Sequence, residues 1–366
     1  MKHIKTFRIL LLITTSTLLF MACDNGSSEN TNVVEIAENT LGNREREPIT
    51  DQNKSELPNY DELRLFKADK QLVIWAIQKI GTQAKIHILQ PATGKVLKKL
   101  VISRALVPRT QIANLVYAYD HRKVVIEARN MLTGGVTLNN VALEKKFANQ
   151  LAGGVGQANI SRSDGWVRLS TKRGKDYFYN PVSDTLVDKR TLFRKKRPSQ
   201  TGNAGWVPQW VRSYNPDNPK ETRFILTQIY QENKRRKPNQ GRTINERKLR
   251  GLVAQGKTRL LSKPEACKFL VNTFSIHFSK HHVLFTYKTE LGPQAKKMLA
   301  CQNSKGEIVW EKELKSEKML AFLVSRLDKV TLMDDPAQKN TLAMAKGNKA
   351  VGLNLNTGKI AWTYGR

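Results

Sequence analysis

Four groupings in this sequence have residue types and spacings that chemistry uses. The first is Gly251-Leu252-Val253-Ala254-Gln255-Gly256-Lys257-Thr258, which satisfies the phosphate-loop pattern letter by letter. Such a loop holds phosphate on backbone N–H groups and a helix N-terminus, and it needs a buried strand before its first glycine. Here Asn245-Glu246-Arg247-Lys248-Leu249-Arg250 precede it and Pro264 interrupts any helix after it, so a hairpin turn is expected instead. The second grouping is His277, His281 and His282. His277 and His281 would share one face of a strand, as two metal ligands can. No Cys or carboxylate stands at ligand spacing beside them, so they read as strand and turn histidines. The third, Gly153-Gly154-Val155-Gly156, lacks the strand and helix of a dinucleotide site and reads as a loop. Neither a Gly-x-Ser-x-Gly elbow nor a His-Glu-x-x-His motif occurs. No catalytic residue, metal or cofactor is assigned, and a catalytic site dispersed along the chain stays open.

The fourth grouping is basic. Residues 189–263 hold 20 Lys or Arg against four acids, a net +16. The dense points are Arg194, Lys195, Lys196 and Arg197, then Lys234, Arg235, Arg236 and Lys237. Trp206, Trp210 and Tyr214 lie between them in a stretch rich in Pro and Asn. Cations interleaved with aromatics suit an acidic protein face, phospholipid or lipopolysaccharide phosphates, or nucleic acid. The plain alternative is a solvated basic face.

The whole chain shares this bias. Its 366 residues carry 62 Lys or Arg and 31 Asp or Glu, a net +31. Forty per cent are hydrophobic, enough for a packed core, and three cysteines exclude a disulfide-dense miniprotein. The one long apolar run is Ile9–Ala22, after Lys2, Lys5 and Arg8. Fourteen helical residues span about 21 Å, short of the roughly 30 Å hydrocarbon core, which excludes a polytopic membrane protein and describes an export signal.

Leu18-Leu19-Phe20-Met21-Ala22-Cys23 resembles a bacterial lipobox, with Phe20 where Leu is usual and Met21 where a small residue is usual. The resemblance implies a signal peptide over 1–22 and a diacylated Cys23 as mature N-terminus, two chains giving stable anchoring. It places the protein in the bacterial cell envelope facing the periplasm, with the leaflet left open. Asp24 matches an inner-membrane retention signal of enteric lipoproteins. Loss of residues 1–22 leaves a net +28. With Cys23 acylated, Cys267 and Cys301 form an even pair in an oxidising compartment. They are either disulfide-bonded or two small buried residues.

Residues 23–58 are rich in Asn, Ser, Glu and Gly and read as a flexible tether. From residue 59 onward, short alternating or β-branched runs recur, such as Leu72–Ile77, Ala84–Leu89, Arg223–Ile229 and His282–Tyr287. The absence of a long 3.6-residue stripe makes the body all-β. Its turns repeat at Gly94, Gly306 and Gly358, with fainter echoes near 134, 184 and 256. Their spacing of 40–72 residues fits four-stranded propeller blades with one insertion.

Asn356-Thr357-Gly358-Lys359-Ile360-Ala361-Trp362 resembles the repeat of the quinoprotein (PQQ-like) β-propellers. The resemblance covers residues 59–366 and implies a turn role for Gly94, Gly306 and Gly358. It also implies packing between blades for Trp310 and Trp362. Six units are countable; six to eight blades are expected with seven favoured, closed by a strand from near Asp61–Phe66. The layout is similar to that of the outer-membrane-assembly β-propeller lipoproteins. That implies a non-catalytic scaffold binding an envelope protein, with the 189–263 insertion as its contact surface. The alternatives are a quinoprotein-type dehydrogenase, whose vicinal cysteine pair is missing, and a binder of anionic lipid or other polyanions. Export argues against nucleic acid.

Overall fold

Successive side chains on a strand point to opposite faces, so a continuous apolar run buries both when a sheet lies on either side. That is how this chain is organised. The computed structural model describes residues 59–68, 70–120, 122–160, 165–196, 205–231 and 240–365. The expected signal peptide over 1–22, Cys23 and the expected tether over 23–58 lie outside the described residues.

Blade one is a meander of β1 (Glu62–Ala68), β2 (Gln71–Ile80), β3 (Gln83–Leu89) and β4 (Val96–Ser103). Blade two comprises β5 (Thr110–Ile112), β6 (Leu115–Asp120), β7 (Val125–Asn130) and β8 (Val136–Asn139), followed by helix α1 (Asn140–Lys146). Blade three comprises β9 (Val155–Ile160), β10 (Val167–Thr171), β11 (Asp176–Asn180) and β12 (Thr185–Asp188), followed by α2 (Lys189–Lys196). Blade four has β13 (Gly205–Tyr214), β14 (Glu221–Gln231), β15 (Arg242–Asn245), α3 (Glu246–Ala254) and β16 (Thr258–Leu260). Blade five has β17 (Leu270–Phe278), β18 (His282–Lys288), β19 (Lys297–Asn303) and β20 (Ile308–Glu313), followed by α4 (Lys318–Val324). Blade six has β21 (Thr331–Asp334), β22 (Thr341–Lys346), β23 (Lys349–Asn354) and β24 (Ile360–Tyr364).

The fold is a β-propeller. Among the described residues it has six four-stranded groups, matching the six countable units rather than the favoured seven. Blades four and five share one sheet because β14 and β17 pair at Glu221–Val271 and Thr222–Leu270. The strand β2 shows the packing logic. Val73, Trp75 and Ile77 face blade two, while Leu72, Ile74 and Ala76 face blade six. Each fully buried side chain of this size contributes about 1.5–3 kcal/mol. Further apolar clusters join blade two to three, four to five and five to six.

Closure differs from the expected strand exchange. The strand β1 pairs with β2 from Glu62–Ile77 to Ala68–Gln71, and blade six has four strands of its own. The two ends meet face to face instead, with Leu65 and Ile74 packed among Ala343, Ala345 and Trp362. Leu63 N–H donates to Gly347 O at 2.7 Å and the Tyr364 hydroxyl to Pro91 O at 2.7 Å.

The repeat turns carry the contacts between blades. In blades two, three, five and six an asparagine starts the turn between the third and fourth strands: Asn130, Asn180, Asn303 and Asn354. Each side-chain oxygen accepts N–H groups from the turn, the Asx-turn geometry. In blades two, five and six the turn then seats a side chain that precedes the blade in the chain. Leu100 fills the space over Gly134, the Cys267 thiol that over Gly306, and the Trp310 indole that over Gly358. Trp310 Nε1–H also donates to Leu355 O at 2.8 Å. Trp75 and Trp210 make the same kind of bridge to Met131 O and Ser279 O. Trp362 lies against Gly352 of its own blade, and no partner for its buried Nε1–H is found among the described residues.

Candidate functional site

Blade four departs from the meander, and residues 205–231 and 240–260 of the basic stretch map onto it. Its two long strands pair along their whole length, from Gly205–Gln231 to Tyr214–Thr222. The next strand, β15, runs parallel to β13, with Val211 opposite Arg242 and Tyr214 opposite Asn245. Then α3 crosses one face of the sheet and β16 returns antiparallel to β14. The expected hairpin at Gly251–Thr258 is therefore a helix followed by a turn and a strand. Gly251 lies inside α3 and Gly256 is at φ +68 in the turn. That is the reverse of the strand–loop–helix order a phosphate loop needs.

The helix is fixed by three devices. Asn245 Oδ1 caps its N-terminus by accepting from Arg247 N–H at 2.8 Å. Leu249 packs on Val211, Ile225 and Ile244. Glu246 is buried and accepts from Arg223 Nη2 at 2.5 Å and Arg250 Nη2 at 2.9 Å. Arg223 also donates to Pro264 O at 2.6 Å and lies 4.5 Å over the Phe269 ring. What remains outward is one sign of charge. Between residues 240 and 260, Arg242, Arg247, Lys248, Arg250, Lys257 and Arg259 are exposed, while the one acid, Glu246, is buried.

The long hairpin also places the aromatics. Trp206 stands opposite Tyr230, with ring centroids 5.6 Å apart, and the Arg259 guanidinium lies 4.1 Å over the Trp206 ring. Tyr230 is 48% exposed. Trp210, on the same strand face but deeper, is 1% exposed and packs with Phe224 and Phe285. The expected contact role of Trp210 is corrected by this burial: it is a core residue. Arg194, Lys195 and Lys196 end α2. Arg197 and Lys234–Lys237 lie outside the described residues. The chain reaches blade four from the first basic cluster at Gly205 and leaves toward the second at Gln231, two residues that pair with each other.

The remaining candidates separate. Cys267 and Cys301 are both free and buried, correcting the disulfide alternative. Cys301 packs in the core between blades five and six, whereas Gln302, on the opposite face of β19, is the residue that approaches Cys267, at 3.9 Å. Strand alternation thus keeps the thiols apart. Burial pushes Cys267 up to about 11 and Cys301 up to about 12, so neither is a thiolate near neutrality. His277 Nε2 bonds Asp334 Oδ1 at 2.9 Å across the gap between blades five and six. His281 sits in the turn, and His282 is buried at the start of β18. Among the described residues no three His, Cys, Asp or Glu are grouped to hold a metal.

His282 makes stability depend on pH. Burial, with His281 nearby, holds its pKa below the ordinary value near 6.5. The unfolded chain binds this proton more readily, so stability is complete above about pH 6.5 and falls as pH drops toward the depressed folded value. His282→Gln is expected to flatten the urea-unfolding midpoint between about pH 7 and about pH 5 relative to the parent. An unchanged slope would show that His282 does not set it.

A cleft of about 800 Å³ opens between blades one, two and six, lined by β1, β21 and the residues around β5. Arg64, Arg109, Lys329 and Lys346 face it together with Glu62 and Asp328. Arg64 is held by Glu62 at 2.6 Å, and Lys346 by Phe322 O at 2.8 Å.

No protein-family description matches this sequence, and no curated protein does. Solved structures do. The WD40 domain of Toxoplasma gondii coronin is 10% identical, over 84% of this chain and 74% of its own, with a TM-score of 0.23. A DUF4221 family member from Bacteroides vulgatus is 9% identical, over 83% and 91%, with a TM-score of 0.28. An uncharacterized protein from Listeria monocytogenes is 9% identical, over 83% of each chain, with a TM-score of 0.26. All three scores lie below 0.5, so the propeller stands on its own sheet order and blade packing.

Proposed function

We propose that this chain is a lipid-anchored β-propeller of the bacterial cell envelope. It faces the periplasm and acts as a non-catalytic binding or scaffold module for an envelope protein. The observation that carries the reading is blade four: it breaks the meander, and six exposed cations with no exposed acid occupy its helix and outer strands between residues 240 and 260. Such a surface meets an acidic face and steers its approach. The basic start, the short apolar run and Cys23 support the anchor.

The test is cross-linking of the anchored protein in cells, read by mass spectrometry. One dominant protein, linked through lysines of 189–263, is the expected result. Neutral replacement of Arg194–Arg197 and Lys234–Lys237, and separately of Arg247, Lys248 and Arg250, is expected to weaken association about tenfold or more. It should also flatten the salt dependence. Links to lipid alone would make the chain a headgroup binder, and unchanged association would remove blade four from the contact.

A further inference from the structure

Blade five holds a second feature that the blade-four reading does not use. An aromatic residue in an alternating strand belongs in the core, yet Phe274 in β17 is 56% exposed. The cause is a bulge. Register slips between Val271–Lys288 and Phe274–Thr286, and Asn272 sits at φ +49. A bulge re-aims the side chains that follow it. This one is held from blade four: Asn272 N–H donates to Lys220 O at 3.0 Å, Arg212 Nη1 donates to Thr273 O at 3.3 Å, and the Thr222 and Thr273 hydroxyls bond each other. A left-handed non-glycine residue, held by one contact of its own and two of the residue after it, is a built conformation of the kind found at binding sites.

Phe274 stands in a groove of about 560 Å³, walled by Tyr287, Val324 and Leu327. Lys288, Lys297 and Arg326 rim it, all exposed, with no ion pair to their side chains among the described residues. The groove's one acid, Asp328, also lines the cleft between blades one, two and six, where Lys329 follows it. An apolar floor with a prearranged aromatic anchor and a cationic rim is complementary to a chain segment carrying one large apolar side chain among acidic ones. The concavity selects a protruding segment over a flat bilayer.

We infer that this groove docks an acidic peptide segment of a protein partner, with an aromatic or branched aliphatic side chain seated on Phe274. The site is separate from the cationic face of blade four. The probe is a random-peptide display selection on the full-length chain in detergent, followed by affinity measurement on the enriched peptides. Enriched sequences are expected to be net acidic with one large apolar residue. Phe274→Ser is expected to weaken them at least tenfold. The triple variant Lys288→Gln, Lys297→Gln, Arg326→Gln should do so about tenfold while flattening the salt dependence. All four residues are exposed, so thermal unfolding of the variants should match the parent. Replacing Arg247, Lys248 and Arg250 by Gln should leave peptide affinity unchanged, so this site can fail while the blade-four reading stands. No enrichment, enrichment of neutral or basic peptides, or indifference to Phe274→Ser would overturn the inference. So would phosphatidylglycerol vesicles whose binding is lost in the same variants, since that would assign the groove to a membrane.

Discussion

Arg223→Met is expected to destabilise the folded body by about 3 kcal/mol, because it leaves the buried Glu246 carboxylate with only the exposed Arg250 as a charge partner. The pair is 2.5 Å apart, and both side chains are about nine-tenths buried. Arg223 does more than neutralise Glu246. Its donation to Pro264 O and its stacking on Phe269 hold the loop after β16, while Glu246 holds the first turn of α3. One guanidinium therefore fixes both the helix and the return of the chain toward blade five. Arg250 cannot replace it, since its own side chain is 79% exposed and screened by water. Urea unfolding should show the loss, and amide exchange should show it concentrated over residues 246–267. The double variant Arg223→Met, Glu246→Leu should recover most of the stability, because well-packed apolar residues substitute for a buried pair with little cost. A double variant no more stable than the single would mean that the backbone carbonyl bonds, and not the charge pair, carry the effect.

The sequence made the strands legible where both faces are buried. Leu72–Ile77 is a continuous apolar run and His282–Tyr287 a mostly apolar one, and they became β2 and β18 between neighbouring blades. The helices escaped because each is only seven to nine residues long, too short for a 3.6-residue stripe to emerge. Their signal was present in another form. Asn139, Asp188 and Asn245 each end a short strand and accept an N–H from the first turn of the helix that follows, an N-cap signature readable from residue type. Blade four was legible as charge but not as topology, since a parallel pairing of β13 with β15 leaves no local pattern. Trp206 and Trp210 share a strand face, so alternation cannot separate them. Depth does: Trp210 lies where blade five covers the sheet and Trp206 lies beyond that cover. Phe274 was hidden for the opposite reason, because its exposure comes from a one-position slip in pairing.

Gly358→Ala tests the contact by which one blade grips the next. Gly358 is at φ +68, where an L side chain costs about 1–2 kcal/mol on backbone grounds alone. A Cβ there would lie 2.6 Å from Trp310 Cδ2, inside van der Waals contact with a ring that cannot bend aside. Trp310 is held against that turn by its bond to Leu355 O and by the core of blades five and six. Forcing it out adds about 1–3 kcal/mol of overpacking, so the substitution should cost about 2–5 kcal/mol in all. Gly81 provides the control. It is also left-handed, at φ +56, but a Cβ added there meets nothing within 4 Å. Gly81→Ala should therefore show the backbone cost alone. The difference between the two variants, read as a shift in urea midpoint at constant slope, isolates the indole contact. A loss of near-ultraviolet circular dichroism from tryptophan should accompany Gly358→Ala and be absent from Gly81→Ala. Equal midpoints for the two would show that the Trp310 ring yields freely and that the apolar core, not the turn, joins blade five to blade six.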